Sequence, residues 1–297
     1  MLGTLTTVFG DQIRRVIKTA KVPTVITEDN VYQKGDTDVL AIVDEMVEHL
    51  LLPGSHLDGM NNLEELFEKA ESGKACLLLV EHYSNMDLSI VSLLSRKAGG
   101  RGKEISDAII AISGMKLNED NPVVAAFTGA YNKIVICPSR SIQGLDSEKD
   151  KDEIARANGI NRAAMKALIR QKYKGKLILV FPSGTRYRSW EPDTKKGVRE
   201  IDSYIRSFDY MCFVSLNGEV LHVQQTDMMN DAVSRDYLLT TVGPVVDCNE
   251  FRNKVLADAA NEEDKKQAVA NKIMEELEKM NIAAEAKRLK LLKETST

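Results

Sequence analysis

A histidine and an aspartate five positions apart are the first residues in this chain whose types and spacing could do chemistry. They lie in Glu81-His82-Tyr83-Ser84-Asn85-Met86-Asp87, directly after the apolar run Ala75–Val80. A turn of this length can bring the Asp87 carboxylate back to one imidazole nitrogen. The other nitrogen is then left as a proton acceptor, and a developing imidazolium is stabilised. Such a pair supplies a base and its orienting partner without a protein nucleophile. It suits direct attack by a substrate hydroxyl on an activated acyl group. The plain alternative is a histidine at a strand end followed by an aspartate that caps a helix.

A second stretch strengthens the chemical reading. The apolar run Lys176–Phe181 leads into Pro182-Ser183-Gly184-Thr185-Arg186-Tyr187-Arg188. Arg186 and Arg188, on a glycine-containing turn, suit a phosphate, because planar guanidinium groups make charge-assisted bonds to its oxygens. A third cation, Arg140, follows the run Lys133–Cys137 in the sequence Pro138-Ser139-Arg140. Taken alone, each arginine could be a solvated surface charge. In an open parallel sheet, however, the carboxyl ends of strands share the edge where ligands bind. One base and three arginines would then converge on one rim.

That convergence requires particular elements. Strands are expected at Ala75–Val80, Ala108–Ile112, Lys133–Cys137, Lys176–Phe181, Met211–Leu216 and Tyr237–Val242, with helices between them, among these Asp87–Lys97 and Glu153–Lys172. Continuous rather than alternating apolar runs predict strands covered on both faces. The fold class is therefore α/β, an open and largely parallel central sheet flanked by helices. Before it, Asp36 or Thr37 caps a helix with Val39, Ile42, Val43, Met46, Val47 and Leu50 at helical spacing, which Pro53 and Gly54 stop. A further helix spans Asn62–Ser72, with Gly73 as its stop. These elements suggest a small helical N-terminal domain over residues 1–60 and an α/β domain over residues 61–297. After Asn261 a long helix carries Val269, Ile273, Leu277 and Met280 on one stripe and ends in a basic, leucine-containing stretch, Lys287–Lys293. That end reads as a solvated helix terminus or, alternatively, as a membrane-surface anchor.

Composition narrows the classes. The formal net charge of −4 argues against a general nucleic-acid binder, so any anion site must be a local gathering of cations. Cys76, Cys137, Cys212 and Cys248 form no Cys-x-x-Cys pair, and His49, His56 and His222 show no ligand-like spacing, so neither a disulfide framework nor a metal site is expected. Trp190 reads as packing beside the arginine loop, and Gly99–Lys103 as a flexible basic turn. No apolar run reaches the ~20 residues of a spanning helix. The N-terminus carries no secretory pattern. A cytoplasmic protein, touching a membrane at most from one side, is expected.

His82-x4-Asp87 and the Pro182–Arg188 loop resemble the first and third motifs of the glycerolipid acyltransferases, which act on glycerol 3-phosphate and lysophosphatidate. The loop is most similar to that of the soluble, plastid-type glycerol-3-phosphate acyltransferases, with Thr185 and Tyr187 where these have Gly and Asp. Glu81 stands where the family usually has Asn, and the glycine-rich second motif is poorly kept around Asn132–Arg140. The resemblance spans residues 60 to 220, with a looser parallel in the helical N-terminus. It implies His82 as general base and Asp87 as its partner. Arg186, Arg188 and Arg140 would hold the phosphate of glycerol 3-phosphate, and backbone N–H groups near Ser183 and Gly184 would stabilise the oxyanion. The acyl donor would be acyl-CoA or acyl-carrier protein, with no separate cofactor. Lys195, Lys196 and Arg199 are candidates for docking an acidic carrier, or else a solvated charge run. Lysophosphatidate as acceptor is the alternative within the family. A catalytically silent lipid- or phosphate-binding protein is the alternative outside it.

Overall fold

The computed structural model describes residues 1–119 and 121–295, so the expected end of the second unit at residue 297 lies outside the described residues. In chain order the strands begin with β1 (Gly3–Thr4), β2 (Tyr32–Gln33), β3 (His56–Asp58) and β4 (Cys76–Val80). Next come β5 (Ile109–Gly114), β6 (Lys133–Ile136), β7 (Leu177–Val180) and β8 (Tyr210–Asn217). The last are β9 (Leu221–His222), β10 (Ala232–Val233), β11 (Leu239–Val242) and β12 (Val246–Asp247). A nine-stranded sheet runs β2-β6-β5-β7-β4-β8-β11-β3, with β12 also paired to β8. Strands β6, β5, β7, β4 and β8 are mutually parallel, while β2 runs antiparallel to β6, β11 and β12 run antiparallel to β8, and β3 is parallel to β11. The sheet is thus mixed but mostly parallel. A small antiparallel sheet, β1-β10-β9, stands beside it.

The central strands bury both faces because alternate side chains enter different cores. Cys76, Leu78 and Val80 of β4, with Leu177 and Leu179 of β7, join one cluster. Leu77 and Leu79 of β4, with Ile178 and Val180 of β7, join the other. Period-two alternation makes both layers obligatory, since each face must be covered by helices. Helices Leu5–Thr19, Thr37–Leu50, Met60–Glu71 and Asp87–Lys97 supply the first cluster. Helices Lys151–Lys172, Ile201–Ser207, Cys248–Asp258 and Lys265–Thr295 supply the second. All four cysteines are buried and unpaired, and burial pushes the Cys76 thiol up to about 12.

The first sixty residues do not close a core of their own. Leu5, Phe9, Val39 and Met46 share a cluster with the sheet, and β2 and β3 form its two edges. Those edges carry no local signal, because two- and three-residue strands have no period to read. Asp36 is the cap of its helix, its carboxylate accepting from the N–H groups of Asp38 and Val39. In the long C-terminal helix, Val269, Ile273 and Leu277 are fully buried.

One polar contact ties the second helical layer to the rim. Asn161 accepts from the Cys137 N–H at 2.8 Å and donates to the Cys137 carbonyl at 2.9 Å, pinning the chain just beyond β6. Replacing it leaves two backbone groups without their partner. Asn161→Ala should therefore destabilise the fold by roughly 1–3 kcal/mol in urea unfolding, more than a typical surface substitution.

Candidate active site

His82 leaves the carboxyl end of β4, and Phe181 leaves the corresponding end of its neighbour β7. Their rings stack with centroids 4.0 Å apart and planes 17° from parallel. Across the turn, His82 Nδ1 donates to Asp87 Oδ2 at 2.9 Å. The same carboxylate accepts from the Tyr83 N–H at 2.6 Å and the Ser84 hydroxyl at 2.7 Å. The Ser84 N–H reaches it as well, at 2.9 Å. Asp87 is buried, at 3% exposure, and is the first residue of the helix Asp87–Lys97, where the helix dipole favours negative charge. A carboxylate so surrounded by donors acts as acceptor, which places the imidazole proton on Nδ1 and leaves Nε2 to take a proton.

The Pro182–Arg188 loop is folded against this turn. The Tyr187 N–H donates to the His82 carbonyl at 2.8 Å, and the Val198 N–H donates to the Pro182 carbonyl at 2.9 Å. Gly184 has a φ of +63°, a conformation that a residue with a Cβ adopts only under strain. Its N–H donates to the Phe181 carbonyl at 2.9 Å, so the backbone donor expected for an oxyanion is already engaged. Ser183 is buried, and its hydroxyl donates to the Thr185 carbonyl at 2.7 Å.

The arginines divide. Arg140 lies across the rim, its guanidinium donating to the Gly184 carbonyl. Arg186 is turned away into an ion pair with Asp231 at 2.9 Å, a carboxylate whose side chain is 1% exposed. Arg188 pairs with Glu191 at 2.8 Å, three residues along the chain. Lys195, Lys196 and Arg199 are paired too, with Glu278, Asp193 and Asp264 respectively.

A cavity of about 700 Å³, mostly apolar, opens on the same rim. His82, Phe181, Gly184 and Arg140 line it, whereas neither Arg186 nor Arg188 does. Val124, Phe127, Ile136 and Leu168 are among its apolar walls, and exposed Lys116, Leu117 and Met165 stand where it meets solvent. Lys133, buried on its wall, donates to Thr128 Oγ1 at 2.5 Å, and burial pushes its pKa down to about 7. The arrangement can hold an elongated apolar group with its polar end beside an oriented imidazole and one guanidinium. The base, the loop and Arg140 are brought together as the sequence suggests. The phosphate role expected of Arg186 and Arg188 is not prepared in this structure.

Two contributors carried no local sequence signal. Asp231 holds the loop from 45 positions away, at the start of the small sheet. Glu81, noted only as a departure, immediately precedes His82 and is buried, at 4% exposure. It accepts from the Tyr83 hydroxyl at 2.8 Å, the Leu216 N–H at 2.9 Å and Asn281 Nδ2 at 2.8 Å. Asn281 belongs to the C-terminal helix, so that helix reaches the back of the site.

No family model and no curated protein matches the chain.

Burial raises the Glu81 carboxyl from 4.5 to about 7, outweighing its three hydrogen-bond donors. Because the folded form binds this proton more tightly than the unfolded chain, the contribution to stability is complete below about pH 4.5. It is lost as pH rises through about 7. Glu81→Gln should flatten that part of the profile, read as thermal midpoints from acid to neutral pH in paired melts with the wild type.

Proposed function

We propose that the protein is an O-acyltransferase that moves a fatty acyl group from a thioester to a hydroxyl of a phosphorylated glycerol, with glycerol 3-phosphate as the acceptor. The observation that carries this reading is the position of His82. An imidazole oriented by a buried carboxylate lines a largely apolar cavity that also has Arg140 on its wall. At about 700 Å³ the cavity is within the usual range for small-molecule sites, and its apolar walls suit an alkyl chain.

In the proposed reaction the acceptor hydroxyl gives its proton to His82 Nε2 as its oxygen adds to the thioester carbonyl carbon. The C–S bond then breaks, and the departing thiolate takes up the proton. Asp87 keeps the imidazole in the needed tautomer and balances its transient positive charge. Arg140 is assigned the acceptor phosphate, because it lines the cavity and its recorded partner is a carbonyl, not a carboxylate. Arg186, whose partner is almost fully buried, is assigned to bracing the loop. Breaking such a pair typically costs ~3–5 kcal/mol, more than one exchanged phosphate contact would return. The donor is acyl-CoA or acyl-carrier protein. The same machinery would serve 1-acylglycerol 3-phosphate as acceptor.

The test is product analysis after mixing the protein with acyl-CoA or acyl-carrier protein and each acceptor. Transfer to glycerol 3-phosphate is the expected result. Tight acceptor binding with no acylated product from any combination would make this a binding protein instead. His82→Ala should lower kcat by about 10²- to 10⁴-fold, and wild-type turnover in that variant would end the base assignment. Arg140→Ala should chiefly raise KM for the phosphorylated acceptor, by about tenfold or more, with a smaller effect on kcat.

A further inference from the structure

We propose that the outward face of the Lys151–Lys172 helix seats the protein on an anionic lipid bilayer, with the mouth of the cavity turned towards the lipid. The inward side of this helix is ordinary: Ala157, Ile160, Ala164 and Leu168 are buried against the sheet. The outward side is not. Met165, Ile169 and Tyr173, the last at the helix's C-cap, follow at four-residue intervals and are 54%, 50% and 54% exposed. That spacing stacks them on a single stripe. Large apolar side chains scattered singly on a surface need no explanation, but three in line beside a cavity mouth do.

Charge follows the same face. Between Glu153 and Glu191 the chain has no carboxylate, while Arg162, Lys166, Arg170 and Lys174 are all exposed. Among the described residues, none of these four is in an ion pair. Several other basic candidates are already neutralised. Lys195, Lys196 and Arg199 each face a carboxylate, and at the C-terminal helix Lys287 pairs with Asp58 and Arg288 with Asp236. In a chain of net charge −4, this helix and the turn after it thus present four exposed cations with no carboxylate among them. Exposed cations flanking an apolar stripe are what a helix lying in a lipid headgroup layer presents. Each such cation near an anionic membrane contributes attraction that falls off within a Debye length.

The stripe also runs into the cavity. Met165 lies on both, and Leu117, 38% exposed, lines the mouth beside it. An alkyl chain could pass from bilayer to cavity along this face without crossing open water. An acidic protein partner would use the cations but not a continuous apolar path, which is why lipid is the occupant the geometry favours. Docking is read without catalysis, so it stands or falls separately from the acyl-transfer reading.

The experiment is co-sedimentation of the full chain with vesicles of phosphatidylcholine alone or with about 30 mol % phosphatidylglycerol, at low and high salt. The wild type should pellet with the anionic vesicles only, and less so as salt rises. Arg162→Glu/Lys166→Glu and, separately, Ile169→Asp/Tyr173→Asp should each weaken binding by about tenfold or more, with unchanged circular dichroism melts. Leu289→Asp/Lys290→Glu, on the C-terminal helix, should bind as the wild type does. Three results would each overturn the proposal: no wild-type binding to anionic vesicles, wild-type binding by both helix variants, or variants that lose capture of acyl-carrier protein while still binding vesicles.

Discussion

Parallel pairing of β6, β5, β7 and β4 is the constraint on which the site depends. Gly114 of β5 lies opposite Ile136 of β6, and Leu79 of β4 lies opposite Val180 of β7, so the strands end in two near-level pairs, β5 and β6 running about two residues further than β7. Adjacent strands are ~4.8 Å apart, which leaves the residues that follow them within reach of one another. His82 consequently stacks on Phe181, and Arg140 reaches the Gly184 carbonyl although the two are 44 positions apart. A one-residue slip of β7 against β4 would reverse which side chains enter each core, so the packing on both faces holds the rim in register.

Once the strand ends are fixed, burial decides which polar groups remain available. Asp87 and Asp231 are both nearly inaccessible, and each is satisfied locally: Asp87 by the imidazole, two N–H groups and a hydroxyl, Asp231 by Arg186 and the Gln224 N–H. A buried carboxylate without such partners would cost several kcal/mol. The consequence is a division of labour between cations of the same type. Arg186 compensates a buried charge and so acts as structure, whereas Arg140, held by a neutral carbonyl on the cavity wall, keeps most of its charge for whatever enters.

Much of this was readable in the residues, for physical reasons that differ by element. The doubly buried strands announce themselves as unbroken apolar runs, and β4, β6 and β7 fall within a residue of their expected limits. The helix Asp87–Lys97 matches its expected span, and Lys151–Lys172 starts two residues before the expected Glu153. The His82–Asp87 contact was legible because it is local, closed by a single turn. What was not legible depends on distant partners. Nothing near Arg186 signals Asp231, and nothing near Glu81 signals Asn281, 200 positions later. The edge strands Tyr32–Gln33 and His56–Asp58 are too short to show alternation, so the first sixty residues read as a helical unit when they in fact complete the sheet.

The two carboxylates that flank the imidazole in sequence show how environment separates like groups. Asp87 faces the turn and takes the imidazole proton donor directly, so its negative charge is matched by the charge that would form on His82. Glu81 projects to the opposite side of the strand end, towards β8 and the C-terminal helix, and burial there raises its pKa to about 7. Near neutral pH it therefore exchanges between neutral and charged forms. The charged form orders Tyr83, Leu216 and Asn281 around itself as acceptor. Tyr83 in turn meets Tyr187 of the arginine loop edge to face, with ring centroids 6.2 Å apart. A proton gained or lost at Glu81 thus reaches the arginine loop through the hydroxyl and ring of Tyr83. A neutral residue at this position would leave the dyad intact but remove that connection.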